Sequence, residues 1–215
     1  MSRAKRVLDL AGAGGGIAVL SPLFLVIAVV IKVHDGGPVF FRQERVGYRG
    51  GLFRMWKFRT MVPDAEKHGL PLTVGHDRRV TRVGTWLRRW KLDELPQLFN
   101  VLVGDMTLVG PRPEVPRYVA TYGAPERRVL ELVPGVTDEA SIQYAEETAL
   151  LATAHDPERF YVSEIVPAKI RLNLAYAARA TVWTDVAVIL ATLRRLVVAA
   201  WPHRDPALGR RSPTG

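Results

Sequence analysis

Asp93 and Glu94 are adjacent carboxylates at the head of an apolar helical pattern, Leu95-Pro96-Gln97-Leu98-Phe99-Asn100-Val101-Leu102. Cations crowd the residues before them: Arg78, Arg79, Arg82, Arg88, Arg89 and Lys91. Arg88 lies five residues before Asp93, near the turn into the pair, and is the cation best placed to serve it. Carboxylates among cations suit an anionic, phosphorylated substrate with a divalent cation between the charges. Neighbouring helical residues point about 100° apart, so the two carboxylates cannot do one job on one face. One can face a reacting phosphorus while the other holds a metal. A plainer account competes: Asp93 as a helix N-cap, with Glu94 and Pro96 in the first turn.

Three further cations belong to the same question. Arg112 stands between Pro111 and Pro113, after Gly110. The prolines stiffen the backbone and limit where the guanidinium points, which suits a bidentate grip on phosphate or nucleotide. Lys57 and Arg59 sit on a strand expected over 52–60. They either contact phosphate or form the solvent face of a hairpin.

The elements that must position these groups follow from composition and pattern. The chain has 215 residues, enough for one sizeable core and an appendage. Its net charge is +9 and its pI about 10.2, pointing to nucleic acid, anionic lipid or phosphorylated substrates without choosing among them. Without cysteine there is no disulfide and no cysteine–zinc site, as suits a cytoplasmic catalytic domain. The five histidines show no ligand spacing.

Residues 10–31 are apolar apart from Ser21. Their length suits one membrane span. Ser21-Pro22 falls near the middle, where proline should break or kink a helix; the serine hydroxyl can satisfy part of the freed backbone. Arg3, Lys5 and Arg6 precede the segment; Lys32, Arg42 and Arg45 follow it. The positive-inside rule then places both flanks in the cytoplasm. A re-entrant hairpin meets both constraints, and a kinked span is the competing form. Gly12, Gly14, Gly15 and Gly16 mark either close packing or the general membrane tolerance of glycine.

Strands are expected at 39–43 and 52–60, a helical turn at 63–67 and a loop at 70–80, then a basic amphipathic helix at 82–90. That helix either lies on a bilayer with its tryptophans down or faces the core. A helix over 94–103, a strand over 106–109 and helices over 115–122 and 125–132 follow. Residues 136–145 are ambiguous. Residues 157–179 read as a long helix interrupted at Pro167, and 183–201 as a last amphipathic helix. The Arg/Pro-rich tail 202–215 reads as disordered.

An ordered series of segments now makes a resemblance specific. It comprises Lys5-Arg6-Val7-Leu8-Asp9-Leu10, the Ser21-Pro22 pair, Gly37-Pro38-Val39-Phe40-Phe41-Arg42-Gln43, Lys57-Phe58-Arg59-Thr60-Met61, Leu92 to Leu102, and Gly104 to Pro113. The chain resembles the bacterial sugar transferases, the monotopic phosphoglycosyl transferases, in their minimal form. The resemblance implies an α-rich α/β fold: a re-entrant membrane helix hairpin over 1–35, with its break at Ser21 and Pro22, and a cytoplasmic catalytic domain over 36–201 with amphipathic surface helices. It implies transfer of a sugar 1-phosphate from a UDP-sugar to polyprenyl phosphate at the bacterial inner membrane, initiating glycoconjugate or exopolysaccharide synthesis. Asp93 would be the nucleophile of a covalent, ping-pong mechanism. Glu94 would help hold Mg²⁺, and Lys57, Arg59, Arg88 and Arg112 would contact phosphate or nucleotide. Partners would be the UDP-sugar, polyprenyl phosphate and membrane lipids, not nucleic acid. Downstream glycosyltransferases and a second copy of the chain are further candidates. Where many members continue with glycine after Thr137, this chain has Asp138-Glu139-Ala140-Ser141-Ile142, a departure expected to reshape the sugar pocket. A non-catalytic protein that holds anionic lipid is the alternative.

Overall fold

A computed structural model of the chain describes residues 2–65, 72 and 77–200. The tail 202–215, most of the loop expected at 70–80, and the end of a helical turn expected at 63–67 lie outside the described residues.

Helix α1 runs from Arg3 to Asp35, capped by the Ser2 side chain at its start and by Gly36 in the left-handed conformation at its end. At 33 residues it is roughly 50 Å long, and it is long and apolar enough to cross a bilayer. Sequence reasoning expected a break or kink at Ser21-Pro22; the helix runs through both residues without a break. The physical reason is visible. Pro22 has no N–H to give the Ala18 carbonyl, and the Ser21 hydroxyl donates to that same oxygen at 2.9 Å.

One stripe of α1 packs on the rest of the chain. Ala13 joins Met55, Val101 and Met106, while Ile27 and Ile31 join Phe58 and Leu87. Val19, Leu25, Val26, Val29 and Val33 on the remaining surface are exposed. The glycines divide. A Cβ on Gly12 would lie 2.6 Å from Leu108 Cδ1 and one on Gly16 3.2 Å from Leu98, whereas Gly14 and Gly15 face open space. Close approach therefore explains two of the four.

Strands β1 (Phe40–Val46) and β2 (Leu52–Phe58) form an antiparallel hairpin, with Phe40 opposite Phe58 and Val46 opposite Leu52. Helix α2 (Arg82–Arg89) is capped by Thr81, whose hydroxyl accepts from the Gly84 N–H at 2.8 Å. It buries Leu87 and leaves Trp86 and Trp90 exposed, so the tryptophans face outward. After a 3₁₀ turn at Leu92–Glu94 comes α3 (Gln97–Val103), and then β3 (Thr107–Val109). Strand β3 pairs in parallel with β4 (Gly135–Thr137). A Cβ on Gly135 would sit 2.1 Å from the Gly110 nitrogen, so only glycine lets the two backbones meet there.

Between these strands lie α4 (Pro116–Val119) and α5 (Ala124–Arg127), the latter continuing as a 3₁₀ turn at Arg128–Glu131. The ambiguous stretch after β4 becomes α6 (Glu139–Gln143), capped by Asp138. Helices α7 (Glu147–Ala152) and α8 (Pro157–Phe160) lead through a π turn at Tyr161–Ile165 into α9 (Val166–Ala177). Pro167 falls in the first turn of α9, where its missing N–H is no loss. Helix α10 (Val182–Ala200) ends the described chain. Val115, Tyr118, Val129, Leu151, Tyr161, Ile165, Val166 and Ile170 form the main core. The result is helix-rich with two small two-stranded sheets.

Candidate active site

The Asp93-Glu94 pair sits where α2, β2 and the loop after β3 converge. Lys91 adopts a left-handed conformation, φ 54°, and the chain then turns through Leu92–Glu94. Pro96, not Asp93, caps α3, and neither residue 91 nor residue 96 makes a side-chain capping bond. The N-cap account of Asp93 therefore fails: its carboxylate satisfies no helix terminus.

Asp93 is only 6 % exposed, and its Oδ1 is buried without a hydrogen-bond partner. An unpaired carboxylate is costly in such a place. Burial accordingly pushes the Asp93 carboxyl above the usual range, and the adjacent Glu94 charge pushes the same way against Lys57, Arg88 and Lys91. Glu94 is the opposite case. Burial raises it too, but Arg112 and Lys57 hold it well below the ordinary carboxylate range. Arg112 Nη1 donates to Glu94 Oε2 at 2.9 Å, Nη2 donates to Oε1, and Lys57 Nζ donates to Oε1 at 3.4 Å. Two neighbouring carboxylates are thus driven apart, one towards protonation and one firmly ionised.

The cations are held as specifically. Lys57 is desolvated, which pulls its ammonium down to about 8. Arg88 Nε donates to Thr60 Oγ1 at 2.9 Å; burial lowers its guanidinium, and the Asp93 charge is the largest influence against that. Arg112 is raised by Glu94. Its backbone is tied as well, since the Arg112 N–H donates to Asp138 Oδ2 at 2.8 Å. The departure at Asp138 thus braces the arginine loop while capping α6. The preceding strand adds a second brace. Arg45 donates to the Pro113 carbonyl at 3.0 Å and to Glu114 Oε1 at 3.3 Å, and the Tyr161 hydroxyl donates to Glu114 Oε2.

Of the residues singled out from sequence, Asp93, Glu94, Lys57, Arg88 and Arg112 come together. Arg59 does not. Strand β2 ends at Phe58, so the alternation that puts Lys57 at the site does not carry Arg59 there. Arg59 pairs instead with Asp35 at the end of α1. Ser21 and Pro22 lie far along α1 in sequence and act within that helix. Thr60, the Arg45–Glu114–Tyr161 brace and Gln97 were not singled out, and Asp138 was singled out only for the sugar pocket. A signal existed for Gln97, four residues after Asp93 on a helix; the others depend on contacts distant in sequence.

Nothing in the site calls for a protein-built metal cage: among the described residues no three His, Asp or Glu side chains gather in metal-binding fashion. Mg²⁺ seldom needs one, taking one or two carboxylates and filling its shell with phosphate and water. A buried, unpartnered Asp93 oxygen beside an ionised Glu94 fits that habit. A partly sealed carboxylate with Lys57, Arg88 and Arg112 around it is an arrangement chemically suited to phosphate groups. The comparisons give the chain its family. The bacterial sugar transferase family matches residues 1–199, and the chain belongs to it. It is 37% identical over 196 residues to the UDP-N-acetylgalactosamine-undecaprenyl-phosphate N-acetylgalactosaminephosphotransferase of Aeromonas hydrophila, covering 90% of this chain and 43% of that protein. It is 41% identical over 145 residues to a putative undecaprenyl-phosphate N-acetylgalactosaminyl 1-phosphate transferase of Bacillus subtilis (strain 168), covering 62% of this chain and 81% of that one. With the UDP-glucose:undecaprenyl-phosphate glucose-1-phosphate transferase of Escherichia coli (strain K12) the identity is 34% over 197 residues, covering 88% and 39%. The chain spans less than half the length of the first and third of these relatives.

Proposed function

We propose that this protein transfers a sugar 1-phosphate from a UDP-sugar to polyprenyl phosphate, releasing UMP and forming a polyprenyl diphosphate sugar. One observation carries the reading: Asp93 is buried and unpartnered while Glu94 beside it is fully engaged by Arg112 and Lys57. A carboxylate without hydrogen bonds is a better nucleophile than one held by cations, and the cations stand ready for the diphosphate.

In the first step an Asp93 oxygen attacks the sugar-bearing phosphorus. The bridging P–O bond breaks and its electrons leave with UMP. In the second, a phosphate oxygen of polyprenyl phosphate attacks the same phosphorus and the Asp93 carboxylate leaves. With Asp93 ionised at the outset, no proton has to move in either step. Lys57, Arg88 and Arg112 neutralise and orient the phosphoryl oxygens, which is most of what phosphoryl transfer demands. Glu94 would hold Mg²⁺, with Arg112 and Lys57 released to the substrate. When bound, the metal supplies charge neutralisation and Lewis acidity at the diphosphate.

The arrangement of α1 supports entry from one membrane face. Lys5 donates to the Val109 carbonyl at 2.8 Å and to Asp185 at 2.6 Å, and Asp35 at the far end pairs with Arg59. One body holds both ends, and positive residues flank both. That combination favours a re-entrant, monotopic helix in the inner membrane with the catalytic domain on the cytoplasmic side. Exposed Trp86, Trp90, Trp183 and Leu193 add apolar surface suited to the headgroup region.

The test uses the purified full chain with Mg²⁺, labelled UDP-sugars and no lipid acceptor. The expected result is one equivalent of UMP, with label retained on the peptide carrying Asp93. Turnover by Asp93→Asn at the wild-type rate, or a kinetic pattern requiring both substrates together, overturns the mechanism.

A further inference from the structure

Five side-chain N and O atoms are buried without a hydrogen-bond partner among the described residues: Arg59 Nη1, Asp93 Oδ1, Gln97 Oε1, Gln97 Nε2 and Tyr118 Oη. Three of the five belong to two residues one helical turn apart. Gln97 is 0 % exposed, and neither end of its carboxamide has a hydrogen-bond partner in the protein. A buried amide left unpaired on both its donor and its acceptor is a destabilising choice at a core position, where leucine of similar volume would cost nothing.

Position explains the choice. Backbone angles are helical at Leu95 (φ −54°, ψ −36°) and Pro96 (φ −63°, ψ −12°), so the turn carrying Asp93 runs on into α3. Residues four apart on such a path share a face, with Cβ atoms about 5–6 Å apart. Helical side chains also lean towards the N-terminus, which directs the Gln97 amide back over the turn that bears Asp93. One reorientation of the amide, donating Nε2 to Oδ1, satisfies two of the three orphaned atoms at once.

We propose that Gln97 is a positioning residue: its Nε2 donates to Asp93 Oδ1, fixing the carboxyl so that the other oxygen, Oδ2, forms and breaks the bond to phosphorus. This rests on Asp93 being the nucleophile. A neutral amide suits the task better than a cation. Lysine or arginine at this spot would quench the carboxylate, as Arg112 does Glu94. The amide orients without neutralising. In the covalent state Oδ1 is the carbonyl oxygen of an acyl phosphate. As polyprenyl phosphate attacks, the Oδ2–P bond breaks, its electron pair returns to the carboxyl, and the charge spreads over both oxygens. The Gln97 donor stabilises that returning charge, so the second half-reaction depends on it more than the first.

The test is single-turnover kinetics of the full chain in detergent with labelled UDP-N-acetylgalactosamine or UDP-glucose, whichever the wild type uses, followed by polyprenyl phosphate. In Gln97→Leu the adduct should form within a few-fold of the wild-type rate, and its breakdown should slow by about 10- to 100-fold, the loss of one hydrogen bond to a charged group. The adduct should therefore accumulate, and kcat should fall while KM for the UDP-sugar does not rise. Tm should change little, because the variant loses one hydrogen bond but also one buried polar group. Gln97→Met, of similar length, has no N–H donor and should slow breakdown as much. Breakdown at the wild-type rate in both variants overturns the inference, and so does a Gln97→Leu protein that loses stability together with both half-reactions, because the amide is then structural. A wild type that forms no adduct on Asp93 removes the nucleophile and the inference with it. An adduct with unchanged breakdown in the variants removes the inference alone.

Discussion

Lys57 should make the enzyme fail in alkali while the fold gains stability. Burial lowers its ammonium from 10.5 to about 8. If its charge holds a phosphoryl oxygen, kcat/KM should be flat to about pH 7.5 and then fall tenfold per pH unit, reaching about a tenth of its plateau at pH 9. The diphosphate of a UDP-sugar gains or loses no proton over this range, so the limb belongs to the protein. Stability moves the other way. Because the folded value lies below the unfolded one, the unfolded chain binds the extra proton between about pH 8 and 10.5. The Lys57 contribution is therefore present above the unfolded value and lost as pH falls through 8. Those 2.5 pH units correspond to about 3 kcal/mol at 1.36 kcal/mol each. Loss of activity with no loss of Tm between pH 8 and 9.5 would identify titration rather than unfolding. The control is Lys57→Arg, whose guanidinium stays charged throughout. It should abolish the limb, at some cost to the plateau. A limb near pH 8 that survives in Lys57→Arg, or a wild type at full rate at pH 9.5, would refute the assignment.

Three other outcomes are expected. Arg112→Lys keeps the charge but loses the fork on Glu94, and kcat/KM for the UDP-sugar should drop by about 10- to 100-fold. Asp9→Ala removes a buried carboxylate that accepts from Thr107 Oγ1 at 2.7 Å and from the Leu108 N–H at 2.8 Å; denaturant titration in detergent should show a loss of about 3 kcal/mol. In Gly84→Ala the new Cβ would lie 2.0 Å from the Thr60 carbonyl oxygen. Helix α2 must shift off the segment that follows β2, carrying Arg88 from Thr60, so a loss of about 1–3 kcal/mol in stability should accompany a lower rate.

What could be read in advance was what local pattern encodes. The apolar run 10–31, the β1–β2 hairpin, α2 and α10 follow from periodicity and turn residues, and the Asp93, Glu94, Lys57, Arg88 and Arg112 cluster followed from residue type together with the family resemblance. Arg59 was misplaced because strand alternation was carried one residue past the end of β2. The helix through Ser21-Pro22 escaped because one side-chain hydroxyl decides whether the freed carbonyl breaks the helix. Asp138 looked like a change to a sugar pocket, yet it accepts from the Arg112 backbone 26 residues earlier. No periodicity encodes such a pairing. The resemblance led to Asp93, but the missing hydrogen bonds of Asp93 and Gln97 belong to three dimensions alone.

The clasp at the start of α1 has a consequence for how the chain is made. Lys5 is held by Asp185, 180 residues later, and Asp9 by Thr107, 98 residues later. The ribosome delivers the greasy helix first and its fastenings last. Until Thr107 is made, Asp9 is a carboxylate without its partner, on a segment already seeking lipid. Final seating of the helix is therefore a post-synthetic event, and truncation before Asp185 should yield chains that reach the membrane but never lock.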